Sequence, residues 1–97
     1  MFEFDLTSEA RENYNRIKND ASQKKRYKAV KKTLNFLALN PRHNSLQTHE
    51  YISLKGPNGE NIFESYAEQK TSAAYRVFWY YGPFPNVITI VAITPHP

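Results

Sequence analysis

Hydrophobic and polar residues alternate along the first part of the chain with two different periods. The opening segment FEFDL places an apolar side chain at every second position, and a period of two predicts a strand with one buried face. Helical spacing then separates four positions: Ala10, Tyr14, Ile17 and Ala21. This spacing predicts a first amphipathic helix of roughly three turns after Ser8, with Thr7 or Ser8 as its cap and Glu9 placed to favour the helix dipole.

A second helix is predicted by the clearest apolar stripe of the sequence. Its members are Tyr27, Val30, Leu34 and Leu37. The dipeptide Asn40-Pro41 ends it, because proline disfavours helical geometry at the residue before it. At about 100° per residue, four lysines fall on the side opposite the stripe: Lys24, Lys28, Lys31 and Lys32. This cationic face predicts either contacts with phosphates or a solvated surface that only keeps the protein soluble.

Turn signals divide the second half of the chain into strands. YISL and NIFESYAE flank the turn KGPNGE and predict a hairpin, since Asn58-Gly59 is a favoured tight-turn pair. Two more segments rich in β-branched and aromatic residues flank the turn GPFPN. The predicted fold is therefore α+β: an N-terminal strand, a two-helix hairpin, and an antiparallel β-meander with the helices packed on one face. A length of 97 residues with 40% hydrophobic content predicts one domain, residues 1–97.

Charge is unevenly distributed, and this distribution changes the expected partner. Between Ala21 and Lys55 there are eight Lys or Arg residues and one acid, whereas the whole chain has a formal charge of only +4. A basic middle between mildly acidic ends favours a polyanionic partner such as nucleic acid or the ribosome. There are no cysteines, no run of membrane-spanning length and no signal-peptide pattern after Met1, so we expect a cytoplasmic protein with no membrane association.

The central strand YRVFWY, followed by a last strand and the segment TPHP, resembles the RelE/ParE toxin superfamily of bacterial toxin-antitoxin systems. The resemblance extends over nearly the whole chain and lies in the order of its elements. It implies a small basic toxin with a cognate antitoxin as partner. Many members of that superfamily cleave messenger RNA in the ribosomal A site without a metal ion, and others poison DNA gyrase.

The resemblance assigns roles to two residues. Arg76 matches the central-strand arginine that contacts the scissile phosphate in RelE-like nucleases, and His96 resembles the histidine that serves in acid-base chemistry. A guanidinium fixed on a strand can hold two phosphate oxygens, and imidazole exchanges protons near neutral pH. Two alternatives remain open: Arg76 as a cross-strand partner of Glu64 or Glu68, and His96 as an ordinary chain end.

Further candidates come from the strands and from the polar segment RHNSLQTHEY. Tyr66 and Tyr80 are in phase with Glu64 and Arg76, so they either stack an RNA base or pack in the sheet. Trp79 is out of phase and is assigned to the core against the helices. The polar segment supplies three candidates, of which His49 and Glu50 are possible secondary catalytic residues and Arg42 a possible RNA contact.

The leading hypothesis is a RelE-like toxin that acts as a metal-independent endoribonuclease on ribosome-bound messenger RNA. No cofactor is expected, and the histidines do not have the usual spacing of metal ligands. The alternative is a non-catalytic protein of the same fold that inhibits a protein target such as gyrase or only binds RNA. Glu64 and Glu68 favour this alternative, because two acids near a phosphate repel the substrate unless one of them acts as a base.

Overall fold

Helices and strands follow one another in the order that the sequence predicts. A computed structural model describes residues 1–96. Its elements are β1 (Glu3–Leu6), α1 (Ser8–Lys18), α2 (Lys24–Leu39), β2 (His49–Lys55), β3 (Asn61–Tyr66), β4 (Tyr75–Tyr81) and β5 (Val87–Pro95), with short 3₁₀ helices at Ala21–Gln23 and Asn44–Leu46. Within the described residues no helix is long and apolar enough to cross a membrane.

The ends and buried faces of both helices agree with the sequence patterns. Thr7 caps α1, since its side-chain oxygen accepts a hydrogen bond from the backbone N–H of Ala10. In α2 the fully buried positions are Val30, Thr33 and Leu37, and Leu34 packs against the core while partly exposed. The apolar stripe of α2 therefore faces the sheet, as predicted, and the lysines of this helix remain in solvent.

The five strands form one sheet in the order β1-β5-β4-β3-β2. The pairs β2–β3, β3–β4 and β4–β5 are antiparallel, which confirms the predicted meander. The first strand pairs parallel to β5, with Glu3 opposite Val87 and Leu6 opposite Ile90. The last strand is consequently an interior strand with a hydrogen-bonded neighbour on each side over its first half.

The two faces of the sheet have different partners. The face toward the helices carries the main core, where Val77 and Trp79 are fully buried, and Trp79 Nε1 donates a hydrogen bond of 2.8 Å to Ser65 Oγ. The assignment of Trp79 to the core against the helices is confirmed. The opposite face carries a smaller cluster: Ile62, Phe78, Tyr80 and Ala92. Among the described residues, this second cluster is formed by strand residues alone.

A bulge in β5 sets the direction of the chain end. Phe78 is opposite Ala92 while Trp79 is opposite Ile90, so Val91 is an extra residue in the last strand. Its carbonyl accepts a hydrogen bond of 2.7 Å from Thr7 Oγ1. Two residues later, the backbone N–H of Ile93 donates to Asn13 Oδ1 at 2.9 Å. Helix α1 and its cap thus supply the bonds that β1 no longer makes beyond the bulge.

Candidate functional site

A buried carboxylate lies at the centre of the candidate site. The side chain of Glu64 is only 1% exposed, although it belongs to the sheet face away from the helices. Its Oε1 accepts a hydrogen bond of 2.8 Å from His49 Nε2, and its Oε2 accepts one from Nδ1 of His96. Arg76 Nε lies 3.7 Å from the same Oε2. Three cationic or ionisable groups therefore surround one carboxylate, which offsets the cost of burying its charge.

Strand pairing brings these side chains together from distant parts of the sequence. His49 on β2 is directly opposite Glu64 on β3, so their side chains are neighbours on one face. Tyr66, two residues after Glu64, is opposite Arg76 on β4. Arg76 is in turn opposite Thr94 on β5, and His96 follows two residues later. The site is built at the end of the sheet where three strands present alternate residues to the same side.

The guanidinium of Arg76 is held on several sides. Its Cζ lies 3.8 Å from the centroid of the Tyr66 ring, a cation-π contact, and its Nη1 donates to the backbone carbonyls of Glu68 at 3.3 Å and Ala74 at 3.1 Å. Its Nε is buried, and within residues 1–96 it has no hydrogen-bond partner. The nearby carboxylate of Glu64, 3.7 Å away, compensates the charge of this buried group without a hydrogen bond.

Like His49, whose side chain is 49% exposed, His96 is a half-exposed member of the cluster. Its side chain is 51% exposed, and Nδ1 is directed at Glu64. The ring of Tyr51 lies against it with the centroids 5.9 Å apart in an edge-to-face arrangement. Because a carboxylate fixes Nδ1 as the donor, Nε2 is the nitrogen left to exchange a proton with a bound molecule.

His49 differs from His96 in that both of its nitrogens are engaged. Nδ1 lies 3.1 Å from the carbonyl oxygen of Gln47, and Nε2 bonds to Glu64. Both ring nitrogens are therefore occupied by oxygen atoms of the protein. His49 is thus placed to hold Glu64, and it has no nitrogen left for a substrate.

The second acid of the β3 region, Glu68, has its own partners. Its Oε1 accepts hydrogen bonds from Arg26 Nε at 3.1 Å and from the backbone N–H of Tyr75 at 3.0 Å. Its charge is paired with α2 and does not face the Glu64 cluster. No group of three or more acidic or histidine side chains among the described residues is arranged to hold a metal ion.

Solved structures share this arrangement of helices and strands over nearly the whole chain. The YoeB dimer from Staphylococcus aureus matches with a TM-score of 0.71 and 15% identity, covering 99% of this chain and 98% of that one. The YoeB/ParE toxin from Agrobacterium tumefaciens matches with a TM-score of 0.73 and 9% identity, covering 99% and 100%. A chain of the archaeal RelE-RelB complex from Pyrococcus horikoshii matches with a TM-score of 0.65 and 14% identity, covering 97% and 93%. The chain has the RelE/ParE fold. No family model and no curated protein matches its sequence.

The RelE/ParE fold brings together four of the six residues singled out for catalysis. His49, Tyr66, Arg76 and His96 lie around Glu64. From the sequence, Glu64 is a charge that repels the substrate, a base, or the cross-strand partner of Arg76. In the structure it lies 3.7 Å from Arg76 Nε and is the common partner of the cluster. A signal for this was available, because a glutamate within a strand flanked by apolar residues needs cationic partners if the strand is buried.

The other two candidates lie elsewhere in the RelE/ParE fold. Tyr80 lies four residues after Arg76 on the same face of β4. It is only 8% exposed, and it packs in the small cluster that includes Phe78. Glu50 is exposed, and its Oε2 lies 3.8 Å from Lys55 Nζ. For Tyr80 the packing interpretation is the one that the contacts favour.

The basic residues predicted to bind RNA lie on the outer surface of the helical layer and beside it. Four of them are exposed on α2: Lys24, Lys28, Lys31 and Lys32. Arg42 is also exposed, and its guanidinium lies 4.9 Å from the ring of Phe63, on the helix side of the sheet. These charges do not touch the Glu64 cluster, so contact with RNA remains a prediction for them.

Proposed function

We propose that the protein is a RelE-like toxin of a toxin-antitoxin system and a metal-independent endoribonuclease that cleaves messenger RNA on the ribosome. The observation that carries this proposal is the half-exposed His96, fixed through Nδ1 on the buried Glu64 next to the partly satisfied guanidinium of Arg76. The shared RelE/ParE fold supports it at the level of architecture. The enzymatic step is proposed from the side chains of this chain alone.

Arg76 is the group proposed to bind the scissile phosphate. Its side chain is 15% exposed, so the guanidinium can present positive charge to a phosphate oxygen, and the Tyr66 ring keeps the guanidinium plane in place. A donor that is already positioned before the reaction stabilises the charge that develops on phosphorus at little reorganisation cost.

His96 is the group proposed to move the proton. Nε2 accepts the proton of the 2′-hydroxyl as its oxygen bonds to phosphorus, and Glu64 stabilises the resulting imidazolium. The same proton then passes from Nε2 to the 5′-oxygen as the bond between that oxygen and phosphorus breaks. The products are a 2′,3′-cyclic phosphate and a 5′-hydroxyl, so atoms and protons balance without water or a metal ion.

The two acids that favoured a non-catalytic protein no longer do so. Glu64 is bonded to both histidines, and Glu68 is paired with Arg26. Neither carboxylate is available to repel a phosphate as an isolated charge. His49 is a positioning residue in this scheme, because it acts on the substrate only through Glu64.

An antitoxin is the proposed protein partner. A cavity of about 320 Å³ opens on the site side of the sheet, with Tyr51, Leu54 and Phe78 in its lining. Tyr51 also contacts His96, and Leu54 is an apolar side chain that is 45% exposed. An antitoxin segment seated on these apolar residues would cover His96 and keep the toxin silent, and the RelE-RelB structure was solved as a complex.

The test is controlled expression of the wild type, His96→Gln and a chain lacking residues 96–97. We expect growth arrest and new RNA 5′ ends only with the wild type. Both variants should have lower melting temperatures, because each loses the bond from His96 Nδ1 to the buried Glu64, but they should remain folded at the growth temperature. A supercoiling assay on the same cells separates cleavage from gyrase inhibition. Full toxicity of the truncated chain, or loss of supercoiling without new RNA ends, would rule out the nuclease.

A further inference from the structure

A crevice between α2 and the segment that follows β3 runs beside the candidate site. It consists of two cavities of about 300 and 350 Å³, which share Ala29, Ala67 and Gln69 in their linings. Lys32 lines the first cavity and Lys25 the second. The two lysines are therefore at different ends of one continuous depression.

The helix geometry explains why these two lysines reach the crevice and Lys24 and Lys31 do not. Lys25 and Lys32 are seven residues apart, so they lie on nearly the same line of α2, about 10 Å from each other along its axis. Lys24 and Lys31 have the same spacing but are rotated by about 100° to the opposite flank of the helix. Lys31 Nζ lies there 4.9 Å from the ring of Tyr27.

The lining of the crevice has the chemistry of a site for single-stranded nucleic acid. Neutral hydrogen-bonding groups are provided by Ser45, Gln69 and Thr71. One wall contains Phe36, on whose ring His43 is stacked with the centroids 4.4 Å apart and an interplanar angle of 27°. Ammonium groups that meet phosphates, combined with a flat ring on which a base can stack, are the usual parts of such sites.

The one acidic residue among the described residues of the lining, Glu68, is already paired and does not repel a phosphate as an isolated charge. Glu68 borders the cavity of Lys25, and its carboxylate is paired with Arg26 at 3.1 Å. Within residues 1–96, neither Lys25 nor Lys32 forms a salt bridge.

Both cavities border the residues that hold Arg76. Tyr66 lines the cavity of Lys32, and its ring lies 3.8 Å from Arg76 Cζ. Glu68 lines the other cavity, and its carbonyl oxygen accepts a hydrogen bond from Arg76 Nη1. Arg76 itself lines neither cavity, so a strand that lies in the crevice reaches the proposed phosphate-binding guanidinium by crossing the segment that follows β3.

We propose that this crevice binds the sugar-phosphate backbone of the RNA strand that flanks the cleaved phosphate, with Lys25 and Lys32 each contacting a phosphate. The proposal rests on the proposed endoribonuclease function and gives its substrate a path across the surface. It also distinguishes among the lysines of α2, since Lys24 and Lys31 point away from this path and Lys25, which the sequence patterns did not select, lies on it.

The test compares two double variants, Lys25→Gln/Lys32→Gln and Lys24→Gln/Lys31→Gln, which remove the same charge at the same spacing. Binding of a single-stranded RNA oligonucleotide with 2′-O-methyl sugars, which cannot be cleaved, is measured against salt concentration. Loss of two phosphate contacts should reduce the slope of log K against log salt by about 1.4, at roughly 0.7 per contact for single strands. The control variant should change the slope by less than half as much. Melting temperatures verify that both variants are folded.

The outcomes separate this inference from the proposed function. Equal slopes for the two variants, or no binding of the oligonucleotide by the wild type, overturn the crevice as an RNA site even if expression of the toxin produces new RNA ends. If the crevice variant binds the oligonucleotide normally but purified ribosomes weakly, the crevice meets ribosomal RNA and the proposal fails. Loss of slope in a protein that cleaves no RNA in cells supports the crevice and removes only the nuclease.

Discussion

Replacing Glu64 with glutamine tests the site at the group on which the other members depend. The substitution keeps the size of a side chain that is 1% exposed, and it removes the negative charge. His49 Nε2 and His96 Nδ1 both donate to this carboxylate, and an amide offers only one oxygen to the two donors. One imidazole is left facing an amide N–H group, so it must change its tautomer or move away.

The magnitudes follow from these contacts. Two charge-assisted hydrogen bonds are worth roughly 1.5 to 3 kcal/mol each, but the glutamine recovers part of one of them, so we expect the free energy of unfolding to fall by about 2 to 4 kcal/mol. Arg76, 3.7 Å from the lost charge, contributes to the upper end of this range because its own burial is no longer compensated. Losing the carboxylate that orients a catalytic imidazole lowers kcat by about 10⁴-fold in well-studied hydrolases. We expect a loss of about 10³ to 10⁴ here.

The assay is cleavage of a defined messenger RNA under single-turnover conditions, combined with denaturant unfolding of each protein. Glu68→Gln is the matched control, because it removes a second acid near β3 and leaves intact the backbone carbonyl that bonds to Arg76. The control should retain cleavage within a few fold of the wild type. Activity of Glu64→Gln within tenfold of the wild type, in a folded protein, would refute the idea that Glu64 orients the proton-transfer group.

Three further predictions concern the fold. Leu37→Ala should lower the free energy of unfolding by about 2 to 5 kcal/mol, and Leu34→Ala by less, because Leu37 is fully buried and Leu34 only partly; equal losses in denaturant melts would contradict the packing of α2. Hydrogen bonds from Ser22 and from the Gln23 side chain lower the pKa of Asp20 below its ordinary 3.8. The ionised carboxylate therefore stabilises the folded state above that pH, and this stabilisation is lost as the pH falls. Asp20→Asn should lower the melting temperature at pH 7 but not in strong acid. Burial and the Tyr27 hydroxyl raise the pKa of Tyr14 from 10.0 to about 12. This shift favours the folded state below pH 10, and its contribution is lost as the pH rises to 12. The free energy of unfolding of Tyr14→Phe should therefore decline less steeply between pH 10 and 12 than that of the wild type.

The order of helices and strands was predictable because each element has a sequence signal that lies within a few residues. FEFDL alternates, the stripe of α2 repeats at helical spacing, and Asn58-Gly59 forms the tight turn, where Gly59 adopts a φ of +83°. Strand partners are a different matter. The parallel pairing of β1 with β5 joins Glu3 to Val87, and nothing local to either residue specifies it. The packing of the half-buried Phe4 and Leu6 against the main core favours that pairing.

The same distinction explains which site residues sequence reasoning found. Arg76 and His96 were selected by resemblance to a family, whose element order is a long-range pattern. Glu64 was judged by its charge alone, and its partners are 15 residues before it and 32 residues after it. A carboxylate that is costly when isolated becomes a fixed acceptor when strand register surrounds it with donors, and register is a property of the sheet.

The bulge at Val91 decides whether His96 can belong to the site at all. Without an extra residue in β5, Arg76 would be opposite Ile93 instead of Thr94, and every later side chain of the strand would change face. His96 would then point toward the helices, on the side of Trp79, and Glu64 would face only His49 and Arg76. Thr7 Oγ1 donates to the carbonyl of this extra residue, and Asn13 Oδ1 accepts from the backbone N–H of Ile93, so the backbone is held at the bulge and just beyond it. The cap of α1 and one buried asparagine thus fix the phase of the last strand, and through it they bring His96 to the carboxylate.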